Sequence, residues 1–193
     1  MNVLGICGSY RDDSNTNKIV KLVAESSGCD YELVYLGKTR VKPCTGCLSC
    51  AMNEGRCVVD DAMQPLYDKL LSADGIVLGS PTYREDVTGA VKCFIDRTIA
   101  LYYRGIGPDS GVPHTGRRPL AGRPGVAVVT TAAVGADRAA ETLKIYFDIN
   151  RMEVVTVLPE IVRIDDVDDM PDVLARAKEA GKKLGDVLRQ SSS

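Results

Sequence analysis

Five short stretches of this chain are apolar almost without interruption: residues 2–7 (NVLGIC), 31–36 (YELVYL), 75–80 (GIVLGS), 124–131 (PGVAVVTT) and 153–158 (EVVTVL). Runs rich in Val, Ile and Leu, without an alternating polar face, are what strands covered on both sides require. Between them the apolar positions change to helical spacing, over residues 17–27 (NKIVKLVAESS), 60–73 (DDAMQPLYDKLLSA), 88–103 (TGAVKCFIDRTIALYY) and 136–150 (ADRAAETLKIYFDIN). In the C-terminal segment Leu174, Ala177, Gly181, Leu184 and Leu188 share one face, with Lys178, Lys182 and Arg189 elsewhere.

Strict alternation of strand and helix predicts right-handed crossovers and an α/β fold with a doubly wound parallel sheet. Five strands favour the flavodoxin-like order over the longer Rossmann one. At 193 residues without a compositional break, the chain reads as one domain over 1–190, with a disordered tail at 191–193. Two connections exceed what a compact α/β unit needs. One, over residues 37–59, is rich in cysteine. The other, residues 104–123 (RGIGPDSGVPHTGRRPLAGR), is broken by Gly and Pro and made basic by Arg104, Arg117, Arg118 and His114. It reads either as a solvated loop or as a lid or subunit contact.

With 45% hydrophobic and 26% charged residues the composition is that of a soluble globule. A formal net charge of -2 provides no footprint for nucleic acid or for an anionic membrane. The opening MNVLGICGSY has neither a basic n-region nor an apolar stretch suited to export, and no apolar run reaches transmembrane length. A cytoplasmic protein is therefore expected. Thiols stay reduced in that compartment, so the seven cysteines read as metal ligands or packing residues rather than disulfides.

A ligand of an open parallel sheet sits beyond the carboxyl ends of its strands. After the first strand comes GSYRDDSNTN, which has neither the dinucleotide GxGxxG nor the P-loop GxxxxGK. Instead Ser9, Arg11, Ser14, Asn15 and Thr16 supply hydroxyls, an amide and a guanidinium at a helix N-terminus, a set able to surround one phosphate monoester. Ser, Asn and Thr also cap helices with no ligand present, so both readings stand. Asp12 and Asp13 would have to face solvent if a dianion is bound. After the third strand, Pro81, Thr82 and Tyr83 (SPTYRED) make a rigid turn followed by an aromatic suited to a flat ring. After the fourth, Thr131 and Ala132 (TTAAVGAD) offer small residues with exposed amides.

GSYRDDSNT, SPTY, KCFIDR and the cysteine segment ending CVVDDAM resemble the NADPH-dependent FMN reductase superfamily. Within it the chain is most similar to the iron-sulfur flavoproteins, compact cluster-bearing relatives of flavodoxin in anaerobic archaea and bacteria. The resemblance implies FMN held at its phosphate by Ser9, Arg11, Ser14, Asn15 and Thr16, with Pro81, Thr82 and Tyr83 and the loop at Thr131 and Ala132 around the isoalloxazine. It also implies a [4Fe-4S] cluster and an oligomer, a homodimer or homotetramer, that brings cluster and flavin together. REDV after Tyr83, the missing glycine pair in TTAAVG and the length of the basic loop depart from the family pattern.

Cys44, Cys47 and Cys50 recur at every third residue and Cys57 follows. Three thiolates so spaced, with a more distant fourth, echo the ferredoxin run around a cubane. Gly46 lets the backbone bend and Pro43 stiffens the entry. Structural zinc usually takes two separated CxxC pairs, and a metal-free loop is a third reading; ligand number and softness favour the cluster. Cys7 and Cys93 read as buried packing and Cys29 as partly exposed, while Asp60 and Asp61 read as helix caps.

The function expected is electron transfer between a ferredoxin-like donor and a small-molecule acceptor through cluster and FMN. Arg84 would stabilise negative charge on reduced flavin. The alternatives are an NAD(P)H-dependent FMN, quinone or azo reductase without a cluster, and a zinc-bearing interaction module.

Overall fold

The computed structural model describes residues 1–105, 117–163 and 165–191. Its strands are β1 (Asn2–Cys7), β2 (Asp30–Tyr35), β3 (Gly75–Pro81), β4 (Pro124–Thr131) and β5 (Glu153–Ile161). Its helices are α1 (Asn15–Ser26), α2 (Ser49–Met52), α3 (Met63–Ser72), α4 (Gly89–Arg97), α5 (Ala136–Ile149) and α6 (Pro171–Ser191). The strands pair in parallel in the order β2-β1-β3-β4-β5, the flavodoxin-like order. The chain reverses its direction of winding between β1 and β3.

Side chains alternate across the sheet and build two cores. Val3, Cys7, Val77, Val126 and Val128 face α1 and α6, where Ile19, Val23, Ala177 and Leu184 cover them. Leu4, Ile6, Ile76, Leu78, Ala127 and Val129 face the other way, under Leu66, Leu70, Phe94, Leu143 and Phe147 of α3, α4 and α5. Gly181 lets α6 lie directly on α1, since a Cβ there would stand 2.4 Å from the Val23 carbonyl oxygen.

Several boundaries depart from the sequence reading. The segment over 88–103 is not one helix: after Arg97 it tightens into a 3-10 helix, Thr98–Tyr103. β5 continues past Leu158 to Ile161, paired with β4 as far as Thr131, with a register shift near Gly125 and Val126. α2 was not anticipated. α6 runs through Ser191, where a disordered tail was expected; residues 192 and 193 lie outside the described residues. So do residues 106–116 of the basic loop, His114 among them.

The described arginines of that loop are structural ties. Arg118 donates to the Ile149 carbonyl at 2.7 Å and lies over the Tyr102 ring. Arg123 donates to the carbonyls of Leu70, Leu71 and Ala73 at the C-terminal end of α3. Of the packing cysteines, Cys7 is buried and its thiol is pushed up to about 12 by desolvation. Cys93, expected to be buried, is half-exposed on α4, as is Cys29 before β2.

Candidate functional site

The loops after β1, β3 and β4 meet at the carboxyl edge, joined by the turn after β5, around a polar cavity of about 280 Å3. Ser9, Arg11, Ser14, Asn15, Thr16, Pro81, Thr82, Tyr83, Thr131 and Ala132 all border it. Gly8 brings the first loop down on β3, since a Cβ there would be 2.3 Å from the Gly79 carbonyl oxygen.

Within this group the roles differ. Ser14 is the N-cap of α1: its hydroxyl accepts from the Asn17 amide at 3.4 Å, which leaves its proton free for a ligand. The Ser9 hydroxyl accepts from the Arg11 amide at 3.1 Å and likewise keeps its proton. The hydroxyls of Thr16 and Thr130 meet at 2.6 Å, so α1 is pinned to the end of β4 with its first free amides at the cavity wall. Arg11 is exposed at the mouth. The Asp12 and Asp13 side chains are 79% and 82% exposed and pair with Lys38 and Lys18, and Asp13 also borders the cavity.

Asn15 is otherwise committed. Its side-chain amide donates to the Asp165 carbonyl at 2.7 Å and its oxygen accepts the Val167 amide at 3.0 Å, which locks the turn after β5 onto α1. Thr131 is also engaged, accepting from the Thr82 hydroxyl and donating to the Val134 carbonyl. Arg84 is not among the residues bordering the cavity. It sits with Glu85 at the tip of a tight turn, both with left-handed backbone (φ 50 and 68), closed by hydrogen bonds between Tyr83 and Asp86. Asp86 fastens this turn to α5 through Thr142 and Arg138.

The sequence reading missed several residues here. Lys18 reaches Asp166 at 2.8 Å, Asp168 at 3.0 Å and Asp13 at 3.2 Å, and these carboxylates raise its already high pKa. Arg163 and Asp166 border the cavity from the turn after β5. Tyr10 stands beside Tyr83, ring centroids 6.1 Å apart and planes 36° apart, both exposed at the edge. None carries a local signal: each depends on contacts across the chain.

The four clustered cysteines form a second site. Cys44, Cys47, Cys50 and Cys57 all border one largely apolar cavity of about 640 Å3, with Ile95, Ile99, Tyr102, Ile145 and Ile149 on its other walls. Leu48 and Gly46 take left-handed backbone (φ 58 and 66), which turns the chain between successive thiols and starts α2. Burial raises the Cys50 thiol pKa, with the charges of Cys57 and Cys44 adding to it. Hydrogen bonds from the Ser49 side chain and amide and from Thr45 lower exposed Cys47 to about 7. Among the described residues, no three Cys, His, Asp or Glu side chains are arranged to hold a single metal ion.

Asp61, expected as a cap, has a larger part. It accepts the Met63 amide at 3.0 Å, but its carboxylate also binds Arg97 of α4 through bonds of 2.8 and 3.1 Å. Both side chains are buried, at 1% exposure for Arg97 and 3% for Asp61.

A polar cavity beyond the carboxyl ends of a five-stranded parallel sheet ordered β2-β1-β3-β4-β5 is the ligand position of a flavodoxin-like fold. Residues 1–165 match the NADPH-dependent FMN reductase family, and the chain belongs to it. An iron-sulfur flavoprotein of Methanosarcina thermophila is 34% identical over 104 residues, 52% of this chain and 54% of the relative. Another, from Archaeoglobus fulgidus, is 33% identical over 138 residues, 70% of this chain and 56% of the relative. The chain thus spans about half the length of the curated relatives it matches. Among solved structures, an FMN-dependent NADH-azoreductase from Bacillus anthracis in complex with FMN superposes with a TM-score of 0.66 at 15% identity, covering 96% of this chain and 100% of its own. No helix among the described residues is long and apolar enough to cross a membrane.

Proposed function

We propose that this protein is an iron-sulfur flavoprotein that binds FMN at the carboxyl edge of the sheet and a [4Fe-4S] cluster on Cys44, Cys47, Cys50 and Cys57. In this reading it passes electrons between a ferredoxin-like donor and a small-molecule acceptor. The observation that carries the proposal is the convergence of all four thiols on one cavity. A cubane offers a separate iron to each thiolate, so its ligands surround a volume rather than a point. Both curated relatives described above bear the name iron-sulfur flavoprotein.

At the other site the chain's own groups suit a phosphate monoester. Ser9 and Ser14 would donate their hydroxyl protons, the first turn of α1 its amides, and Arg11 a charge at the mouth. Tyr83 and Tyr10 would shield a ring lying at the edge. FMN exchanges electrons in pairs or singly and a cubane one at a time, so the two together couple two-electron and one-electron partners. The thiol cavity has largely apolar walls, and the Thr16–Thr130 contact would keep the phosphate end rigid. A homodimer or homotetramer would bring cluster and flavin of different subunits within electron-transfer range.

The family assignment favours one second reading, a reductase that takes its electrons from NAD(P)H and needs no cluster. Anaerobic stopped-flow measurements separate the two. Reduction of the bound flavin by reduced ferredoxin, far faster than by NADPH, supports the proposal; the opposite order of rates supports the reductase.

A further inference from the structure

Arg97 is the largest fully buried side chain among the described residues, and it lies where the cysteine loop closes. One of its terminal nitrogens donates to the Lys42 carbonyl at 3.0 Å, ahead of Cys44. The other donates to the Val59 carbonyl at 3.3 Å, just past Cys57. Both arms also hold Asp61, whose carboxylate accepts the Lys42 amide at 2.8 Å. One guanidinium thus joins the entry and the exit of the loop. Gln64 reinforces the exit by donating to the carbonyls of Cys57 and Val59.

A fork that only tied the loop would be satisfied by these bonds. Arg97 is not: its Nε is buried and has no hydrogen-bond partner, while the residue borders the cavity that the four thiols share. An unpaired donor in an apolar interior carries an uncompensated desolvation cost unless an acceptor arrives. Cluster sulfides and cysteine thiolates are such acceptors, and N–H···S bonds with a nearby positive charge favour the more negative, reduced state of a cluster.

We propose that Arg97 is a positioning residue of the cluster site. It holds the two stems of the cysteine loop together and offers Nε as a hydrogen-bond donor to the sulfur of the group bound there. The proposal rests on the cluster reading above, and it assigns a role to a residue that is not a ligand.

The test uses the FMN-loaded full chain, its Arg97→Lys variant, and the Arg97→Met/Asp61→Leu double variant, which removes both charges and so avoids leaving Asp61 buried alone. FMN content reports folding at a site built from other elements. Iron and acid-labile sulfide are counted after anaerobic reconstitution, and the reduction potential is followed by electron paramagnetic resonance. We expect the variants to keep FMN, to load iron at least tenfold more slowly, and to give a cluster of lower potential than wild type. Loading and potential equal to wild type in FMN-replete variants would overturn the proposal while leaving the cluster reading intact. Slower loading with an unchanged potential would reduce Arg97 to a structural tie and overturn it as well. A wild-type chain that takes up no iron would overturn both.

Discussion

The Arg97 guanidinium and the Asp61 carboxylate meet through hydrogen bonds of 2.8 and 3.1 Å, and the pair joins α4 to the segment that follows the last clustered cysteine. Removing one partner strands the other charge in the interior. Arg97→Ala should therefore destabilise the protein by about 3–5 kcal/mol, whereas Arg97→Met/Asp61→Leu should recover much of that loss. Urea denaturation measures both. A single variant as stable as the double one would show that the pair is not the fastening it looks to be.

The same pair gives the fold an acid sensitivity. Burial alone would raise the Asp61 carboxyl, but the bonds from Arg97, Lys42 and Met63 outweigh it and hold its pKa below the usual carboxylate range. A folded-state pKa depressed in this way contributes stability that is fully present above the unfolded value and is lost as pH falls through the folded one. Stability should thus fall in acid more steeply for wild type than for Arg97→Met/Asp61→Leu. Denaturation curves between about pH 6 and pH 3 would show it, and parallel slopes would refute it.

At the carboxyl edge, Arg11 and Ser14 should separate phosphate binding from ring binding. Arg11→Ala should weaken FMN about tenfold, the lower range of a charged hydrogen bond, and leave riboflavin affinity unchanged. Ser14→Ala should do the same and also cost about 1 kcal/mol of stability through the lost cap. Fluorescence titration with the two flavins reads the difference. Equal losses for both would place the phosphate elsewhere.

The turn after β3 offers a gain rather than a loss. Arg84 and Glu85 both hold left-handed backbone, at φ 50 and 68, in a two-residue connection that favours Asn-Gly. Arg84→Asn/Glu85→Gly should raise stability by about 1 kcal/mol. A lower melting temperature would mean that the side chains of Arg84 and Glu85 contribute more than their strained backbone costs.

What the sequence made legible follows from the range of the forces involved. β4 was read to its ends, Pro124–Thr131, because a fully buried strand must be apolar throughout. The cysteine loop was visible as spacing. Asn15 reads as a phosphate contact because it lies at a helix start, and it borders the cavity; that its side chain also holds Asp165 and Val167, 150 and 152 residues away, has no local signal. Arg97 lies inside the helical segment over 88–103 with nothing to single it out, and Asp61 reads as a cap. Only packing of α4 against the loop turns them into a buried pair, and no local pattern encodes that. The position of Arg84 was not legible for a related reason: it sits on a turn that Asp86 fastens to α5.

The central claim is that the four thiols carry a cluster beside FMN. Protein purified anaerobically should hold FMN together with iron and acid-labile sulfide in equal amounts, about four of each per flavin. Cys47→Ala should lose the iron and sulfide and keep the FMN. FMN with neither iron nor sulfide, even after anaerobic reconstitution, would contradict the account and leave a cluster-free NAD(P)H reductase in its place.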